Sequence, residues 1–446
     1  MKTLTQFLFF IICLTCYAQS HTWTGNGTNN LWSNPENWDA LTVPDGSSTV
    51  LINGAGEIVL ALGANNGATI VIEQGAKLVV EGSLTTQETT VNAAEIEILL
   101  GATYSNPGGT ITIQENAKLV VEGLLDIPGT NTVVTGSDSE LTIDIDASAN
   151  NNGATIVIEQ GAKLVVDGTF NSSNGGNINN SSTVEIGVNG LLSNEGGTIT
   201  IQNGAKLVVE GELTSDSSGT FDNFGTIEGN GILDITGTFN NEGAISPGGE
   251  GIIGTIHFLN NFSLNNGILV TDILNVSEHD SIEVLGTAYL EGDVEVSLYL
   301  PGGFGDDYTI VSASNPILTC NFPAEIYYQI DPQETIILET ICEDNAFKLA
   351  YGGIIFLDVD QYDLEQKIAV APNPVTQTST ITIPSTFLDS ATTLSLFATT
   401  GQLVVRKFIA SPSVNLDTTT LSDGVYLLRI ENNNGFLTEK IIKQAQ

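Results

Sequence analysis

Apolar and polar residues alternate along most of this 446-residue chain with a period of two. In "ATIVIE", Ala68, Ile70 and Ile72 point one way and Thr69, Val71 and Glu73 the other. After a Gln74-Gly75 turn, Ala76, Leu78 and Val80 take one side and Lys77, Val79 and Glu81 the other; Gly82 turns the chain again and Leu84 re-enters. Such alternation belongs to a strand with one buried face. β-branched residues fill the runs and Gly or Asn ends them, so the pattern predicts short strands between tight turns, with almost no helix.

The phrase "GAKLVVEG" at 75–82 returns as "NAKLVVEG" at 116–123, "GAKLVVDG" at 161–168 and "GAKLVVEG" at 204–211. The modules start at 67, 108, 153 and 196, spaced by 41, 45 and 43 residues, and alternate modules match best. Leu125, Phe170 and Leu213 hold the place of Leu84 in the later copies. Strands this short cannot bury an apolar face alone, but stacked coil on coil they can. The prediction is an all-β fold, a right-handed parallel β-helix with two coils of about 21 residues per module. At about 4.8 Å per coil, residues 45–240 would form a rod of about 45 Å. Independent domains of one module each would be too small to hold a core without staples.

Outward positions carry charge. Lys77, Lys118, Lys163 and Lys206 are expected to form one column, with Glu81, Glu122, Asp167 and Glu210 as a second. They read as exposed charges that oppose wrong register and sideways aggregation, or as a ligand-reading column. The Thr110/Thr112 and Thr198/Thr200 pairs lie too far apart for a continuous water-ordering array.

The chain divides into five segments. Residues 1–18 read as a secretory leader with cleavage after Ala18, and Leu14-Thr15 before Cys16 lacks the small pair of a lipoprotein signal. Residues 19–44 hold Trp23, Trp32 and Trp38, the only tryptophans, as an aromatic cap over the first coil or a sugar-stacking platform. The β-helix spans 45–298, a β-rich closure 299–365, and a small C-terminal immunoglobulin-like β-sandwich 366–446. Cys13 and Cys16 leave with the leader, so Cys320 and Cys342 remain. In an exported chain an even pair favours a disulfide, worth roughly 3 kcal/mol across a loop of about 23 residues; two free thiols are the alternative.

Charge narrows the function. With 52 acidic residues against 12 basic ones the net charge is −40, which excludes nucleic acid and bare anionic membrane as partners. No apolar run after the leader approaches the roughly 18 residues of a membrane span. Calcium could gather nonspecifically on the acidic surface, but no calcium-loop spacing is present, so no specific cofactor or metal is expected.

No catalytic residues are assigned. A lyase needs a base and groups that neutralise a uronate, yet no arginine lies between 19 and 365 and four of the five lysines there belong to the repeat. His21, His257 and His279 are scattered. "DIDAS" at 144–148 and "GDD" at 305–307 offer carboxylate pairs of the kind a glycosidase uses. A glycan binder should show exposed aromatics on the coils, which are poor in them, Tyr104 being one exception.

Two resemblances follow from motifs. Trp23, Gly25, Trp32, Ser33, Asn37, Trp38 and Pro44, with G-N-G at 229–231, I-S-P-G at 245–248 and "DSIEVLGTAYLEG" at 280–292, resemble β-helical, autotransporter-passenger-like bacterial surface proteins. Pro372-Asn373-Pro374, Leu396-Phe397, Gly401-Gln402, Leu421, Gly424, Tyr426 and Lys440-Ile441-Ile442-Lys443 resemble the type A C-terminal sorting domain of type IX secretion cargo of Bacteroidota. That resemblance implies passage to the periplasm, recognition by the outer-membrane translocon and sorting machinery, and a product attached to surface lipopolysaccharide or released. An accessory immunoglobulin-like domain is the competing reading. The expected function is a secreted or cell-surface structural or adhesive β-helical protein. The alternative is an extracellular polysaccharide-binding protein or polysaccharide-degrading enzyme.

Overall fold

The computed structural model describes residues 20–61, 65–129, 131–134, 136, 138–275, 277–299, 307–332, 334–356, 367–389, 391–433 and 435–445. The leader read at 1–18 lies outside them. Two compact units divide the chain, Met1–Ile355 and Phe356–Gln446.

The first unit is a parallel β-solenoid. One coil consists of Ser148–Asn152, Thr155–Ile158 and Lys163–Val166, and each strand lies on a separate face. The next coil, Thr169–Ser173, Asn177–Asn180 and Thr183–Ile186, pairs with it in parallel on all three faces. Leu164 lies opposite Val184 and Val184 opposite Leu207, so one coil takes 20 residues and the next 23. The 43-residue repeat is therefore two coils. On the face carrying the repeated phrase, thirteen rungs stack among the described residues.

The two glycines of the phrase do different work. Gly75, Gly161 and Gly204 turn the chain with φ of +81°, +87° and +82°, and Asn116, standing in for glycine, has +65°; left-handed backbone favours Gly and then Asn. The closing glycines are set by packing. A Cβ on Gly123, Gly168 or Gly211 would lie 2.3–2.5 Å from carbonyl oxygens of the preceding coil. Between them Leu78, Leu119, Leu164 and Leu207 point inward and are fully buried, alternating with Ile96, Leu141 and Val184 from the other coils. Each such side chain contributes roughly 1.5–3 kcal/mol of burial, which a lone coil could not supply.

The interior corners are polar. Asn151, Ser172, Asn194 and Ser215 occupy one corner on successive rungs, all nearly inaccessible. Asn151 Nδ2 donates to Ser172 Oγ at 3.1 Å, and Asn194 Nδ2 to Ser215 Oγ at 3.1 Å. At the next corner Asn180 donates to the Lys206 carbonyl at 2.7 Å and Asn223 to Asn241 Oδ1 at 2.8 Å. These amides satisfy backbone groups that the turns leave unpaired. Tyr104, read from sequence as an exposed aromatic, is instead fully buried. It continues the inner column of Leu84 and Leu125, and its hydroxyl donates to Thr89 Oγ1 at 2.6 Å.

Both ends of the stack are covered. At the first coil Trp32 and Trp38 are buried, with ring centroids 4.8 Å apart, and Trp23 meets Trp38 edge-on at 5.0 Å. Trp38 Nε1 donates to the Trp32 carbonyl, and the Trp32 amide to the Val59 carbonyl, which fixes this segment onto the coil. At the other end parallel stacking continues past residue 298. Asp307–Ala313 pairs in parallel with Ser281–Val284, and Thr319–Asn321 with Ala288–Leu298. Ala346–Phe356 then runs antiparallel to Asp307–Ala313, which closes that edge. Cys320 and Cys342 are joined in a disulfide with Cα atoms 6.2 Å apart, tying the last repeat-face strand to the Glu325–Asp331/Glu334–Cys342 hairpin.

The second unit has a three-stranded antiparallel sheet, from Ala369–Ala371, Thr378–Thr382 and Ser413–Asp417, and a four-stranded one. The latter orders Leu403–Phe408, Thr393–Ala398, Gly424–Asn432 and Gly435–Lys443. Ile381, Leu394, Leu396, Leu428, Ile430 and Ile441 form their common core.

Candidate functional site

The lysines of the repeat do not form the single column expected from sequence. Glu95 and Glu140 stand between Lys77, Lys118 and Lys163 on the alternate coils, whereas Thr183 stands between Lys163 and Lys206. The repeated phrase recurs only on every second coil, so the rung between carries a different sequence. The result is a ladder of alternating sign from Lys77 to Lys163, with diagonal ion pairs from Lys163 and Lys206 to Glu185 and Glu228 beyond it. Lys77 Nζ is 2.8 Å from Glu95 and 2.9 Å from Glu97, Lys206 is 3.0 Å from Glu228, and Lys163 pairs with Glu185. Lys77 is held protonated to a pH well above the usual lysine range, chiefly by its hydrogen bond to Glu95. Every one of these lysines is neutralised by a neighbouring coil, which favours register over ligand recognition. The second expected column is likewise interrupted. Glu210 accepts from Asn230 of the following coil, and Asp167 packs against Gly187.

The residues weighed for catalysis do not converge. His21 is buried against Thr42, His257 lies 3.1 Å from Glu283, and His279 faces the Asp280 carbonyl oxygen and the ring of Tyr308. Asp144 accepts from the Ile145 amide at an exposed turn, and Asp307 pairs with Lys348 at 3.2 Å; residues 305–306 lie outside the described set. Among the described residues no group of three His, Cys, Asp or Glu side chains could hold a metal ion.

One carboxylate pair was not singled out from the sequence. Asp280 is fully buried and Asp272 nearly so. Asp280 accepts from the amides of Gly254 and Asp272, both at 2.8 Å, and Asp272 accepts from Gly251 at 2.6 Å. Together they pin the Gly248–Gly254 loop. Burial, aided by the Asp272 charge and opposed by the two amides, pushes the Asp280 carboxyl up to about 7. Closed to solvent, the pair acts as a structural clasp.

A surface groove of about 620 Å³ lies at the corner where coils near 235–289 turn. Thr238–Asn241 has no ladder partner on the following coil among the described residues, and the corner opens there. Phe239 is half-buried, next to Phe258 with centroids 5.9 Å apart, and Tyr289 is 37 % exposed. Leu259, Leu285, Asn260 and Asn261 complete the walls.

In the second unit the motif residues converge on the final strand. Asn373 Nδ2 donates to the Lys440 carbonyl at 2.7 Å, while its Oδ1 accepts from the Ile442 amide at 2.8 Å. Both flanking prolines follow cis peptide bonds. Gly401 takes φ of +83° in the turn joining Thr393–Ala398 to Leu403–Phe408, and Gln402 accepts from the Ala398 amide. Gly424 opens the strand on which Tyr426 donates to the Ser422 carbonyl at 2.9 Å, and Lys443 lies 3.8 Å from Asp423. These contacts fix the shape of the small domain around its final strand rather than line a cleft.

The chain thus pairs a β-solenoid with a small recognition domain. Residues 369–444 match the family model described as a secretion system C-terminal sorting domain. The match identifies an export signal of the type IX secretion system, which directs cargo to the cell surface or beyond it. No curated protein matches the chain. No helix among the described residues is long and apolar enough to cross a membrane.

Proposed function

We propose that the exported solenoid is a non-enzymatic structural or adhesive element of the cell surface. The observation that carries this reading is the parallel stack, continuous on the repeat face, with its ends covered and its repeat lysines neutralised by neighbouring coils, joined in one chain to a sorting domain. Such a body spends its sequence on length and register, and its exterior presents ladders rather than a cleft with reacting groups. Delivery depends on the sorting machinery as partner, and the leader read at 1–18 supplies the first export step. Deleting 369–444 in the producing cell should trap the chain in the periplasm. Cells making the full chain should gain surface-accessible solenoid, detected by protease shaving, and should attach better to a glycan-coated or abiotic surface than deletion cells. Surface display without any change in attachment, on every surface tried, would remove the adhesive half of the proposal and leave a structural one.

A further inference from the structure

The groove beside Tyr289 differs in its lining from other hollows of the described surface. In a chain of net charge −40, none of its lining side chains is charged. The hollow between Lys118 and Glu185, and that beside Glu210 and His257, are by contrast lined by ionised groups. Its walls combine an exposed ring with paired amides. Tyr289 projects from Ala288–Leu298 directly over Ser263, and Phe239 lies one coil earlier. Asn261 Oδ1 accepts from the Thr287 amide at 2.9 Å, which leaves its NH2 for a ligand. Asn260 is the converse: its NH2 donates to Asp234, which leaves its carbonyl oxygen as an acceptor. Gly237 and Gly286 keep the floor low, because a Cβ on either would strike backbone of the neighbouring coil.

An apolar ring beside one amide donor and one amide acceptor matches a pyranose, which has an apolar C–H face and hydroxyls that donate and accept around its edge. Three successive corners form the groove, separated by about 10 Å over two rungs, a length that suits two or three linked sugars. The uncharged lining, set in an acidic body, selects against uronates and sulfated sugars by long-range repulsion. We propose that this groove is a binding subsite for a neutral polysaccharide, with Tyr289 as the stacking platform and Asn260 and Asn261 as the hydroxyl-reading pair. The inference rests on the adhesive reading above and names the ligand class that such adhesion would grip.

The test is calorimetric titration of the purified full-length protein with neutral β-glucan, xylan and mannan oligosaccharides, beside a trigalacturonate control. At least one neutral series should bind saturably, with trigalacturonate weaker by about tenfold or more. Tyr289→Ala should weaken the neutral sugar by about tenfold, and Tyr289→Phe, which keeps the ring, by less than about threefold. Thr236→Trp, which fills the groove from an exposed position, should abolish binding. No binding by any neutral series, or binding indifferent to both Tyr289→Ala and Thr236→Trp, overturns the proposal. Cell attachment separates the two readings: attachment that persists while titration is silent sinks the groove and leaves adhesion standing.

Discussion

Replacing one interior asparagine should cost far more than replacing an exterior one. Asn194 is inaccessible. Its Nδ2 lies 3.1 Å from the Gly197 carbonyl, 3.1 Å from Ser215 Oγ and 3.2 Å from the Thr220 carbonyl, and its Oδ1 accepts from the Gly197 amide at 3.1 Å. Asn194→Ala leaves at least one buried amide and one buried carbonyl short of a partner, each worth about 1–3 kcal/mol, and opens a small void. The expected loss is about 3 kcal/mol. Asn171, one coil earlier, bonds only to Asn150 at 3.2 Å on the half-exposed outer side. Asn171→Ala should cost less than about 1 kcal/mol, because water replaces the lost partner. Urea denaturation followed by far-ultraviolet circular dichroism gives the comparison, and amide exchange localises it, with Gly197 losing protection only in Asn194→Ala. Equal losses in the two variants would refute the claim that the corner amides hold the coils in register.

Three further outcomes follow from the same geometry. Because Asp280 titrates near 7 in the fold but near 4 when unfolded, its contribution is full below about pH 4 and is lost as pH rises to about 7. Its share of the drop is a few kcal/mol at most; Asp280→Asn should flatten the fall in urea midpoint between pH 5 and pH 8, and an unchanged slope would rule out Asp280 as its source. Lys118→Glu places a carboxylate between Glu95 and Glu140 and should destabilise by about 1 kcal/mol at low salt, shrinking by half or more at 0.5 M salt, measured by thermal melting. Gly168→Ala puts a methyl about 2.3 Å from the Asp144 carbonyl and should cost more than about 3 kcal/mol. Gly204→Ala, whose added Cβ meets nothing within 4 Å and only the left-handed backbone penalty at φ +82°, should cost about 1–2 kcal/mol in the same assay.

What could be read from the sequence was whatever repeats or alternates locally. The period of two placed Leu78, Leu119, Leu164 and Leu207 inside, and the doubled module length announced two coils. The sorting domain was legible because its motif residues sit in a fixed order. Features made by stacking were not legible in the same way. Alternation puts Asn194 on the same inner face as Leu192, but nothing in the sequence supplies the carbonyls of the neighbouring coil that hold its amide there. The lysine column failed because its neighbours in space come from the intervening coil. Tyr104 could have been placed correctly, since it aligns between Leu84 and Leu125 in the inner column.

The groove marks the limit of that kind of reading. Repetition explains surfaces where each rung solves the same burial problem, and there the exterior carries ladders and ion pairs, with hollows lined by charge. At 235–289 the repeat has decayed, Thr238–Asn241 lacks a ladder partner on the following coil among the described residues, and Phe239 and Tyr289 remain half-exposed. Phe239 and Tyr289 are ordinary β-formers in sequence, and nothing in their spacing announces a site. A solenoid gains an uncharged, aromatic-walled hollow most readily where its periodicity breaks, because there residues from successive coils differ from the charged ladder of the repeat. The same break that denies the groove a sequence signature is therefore the physical reason to look for a ligand in it.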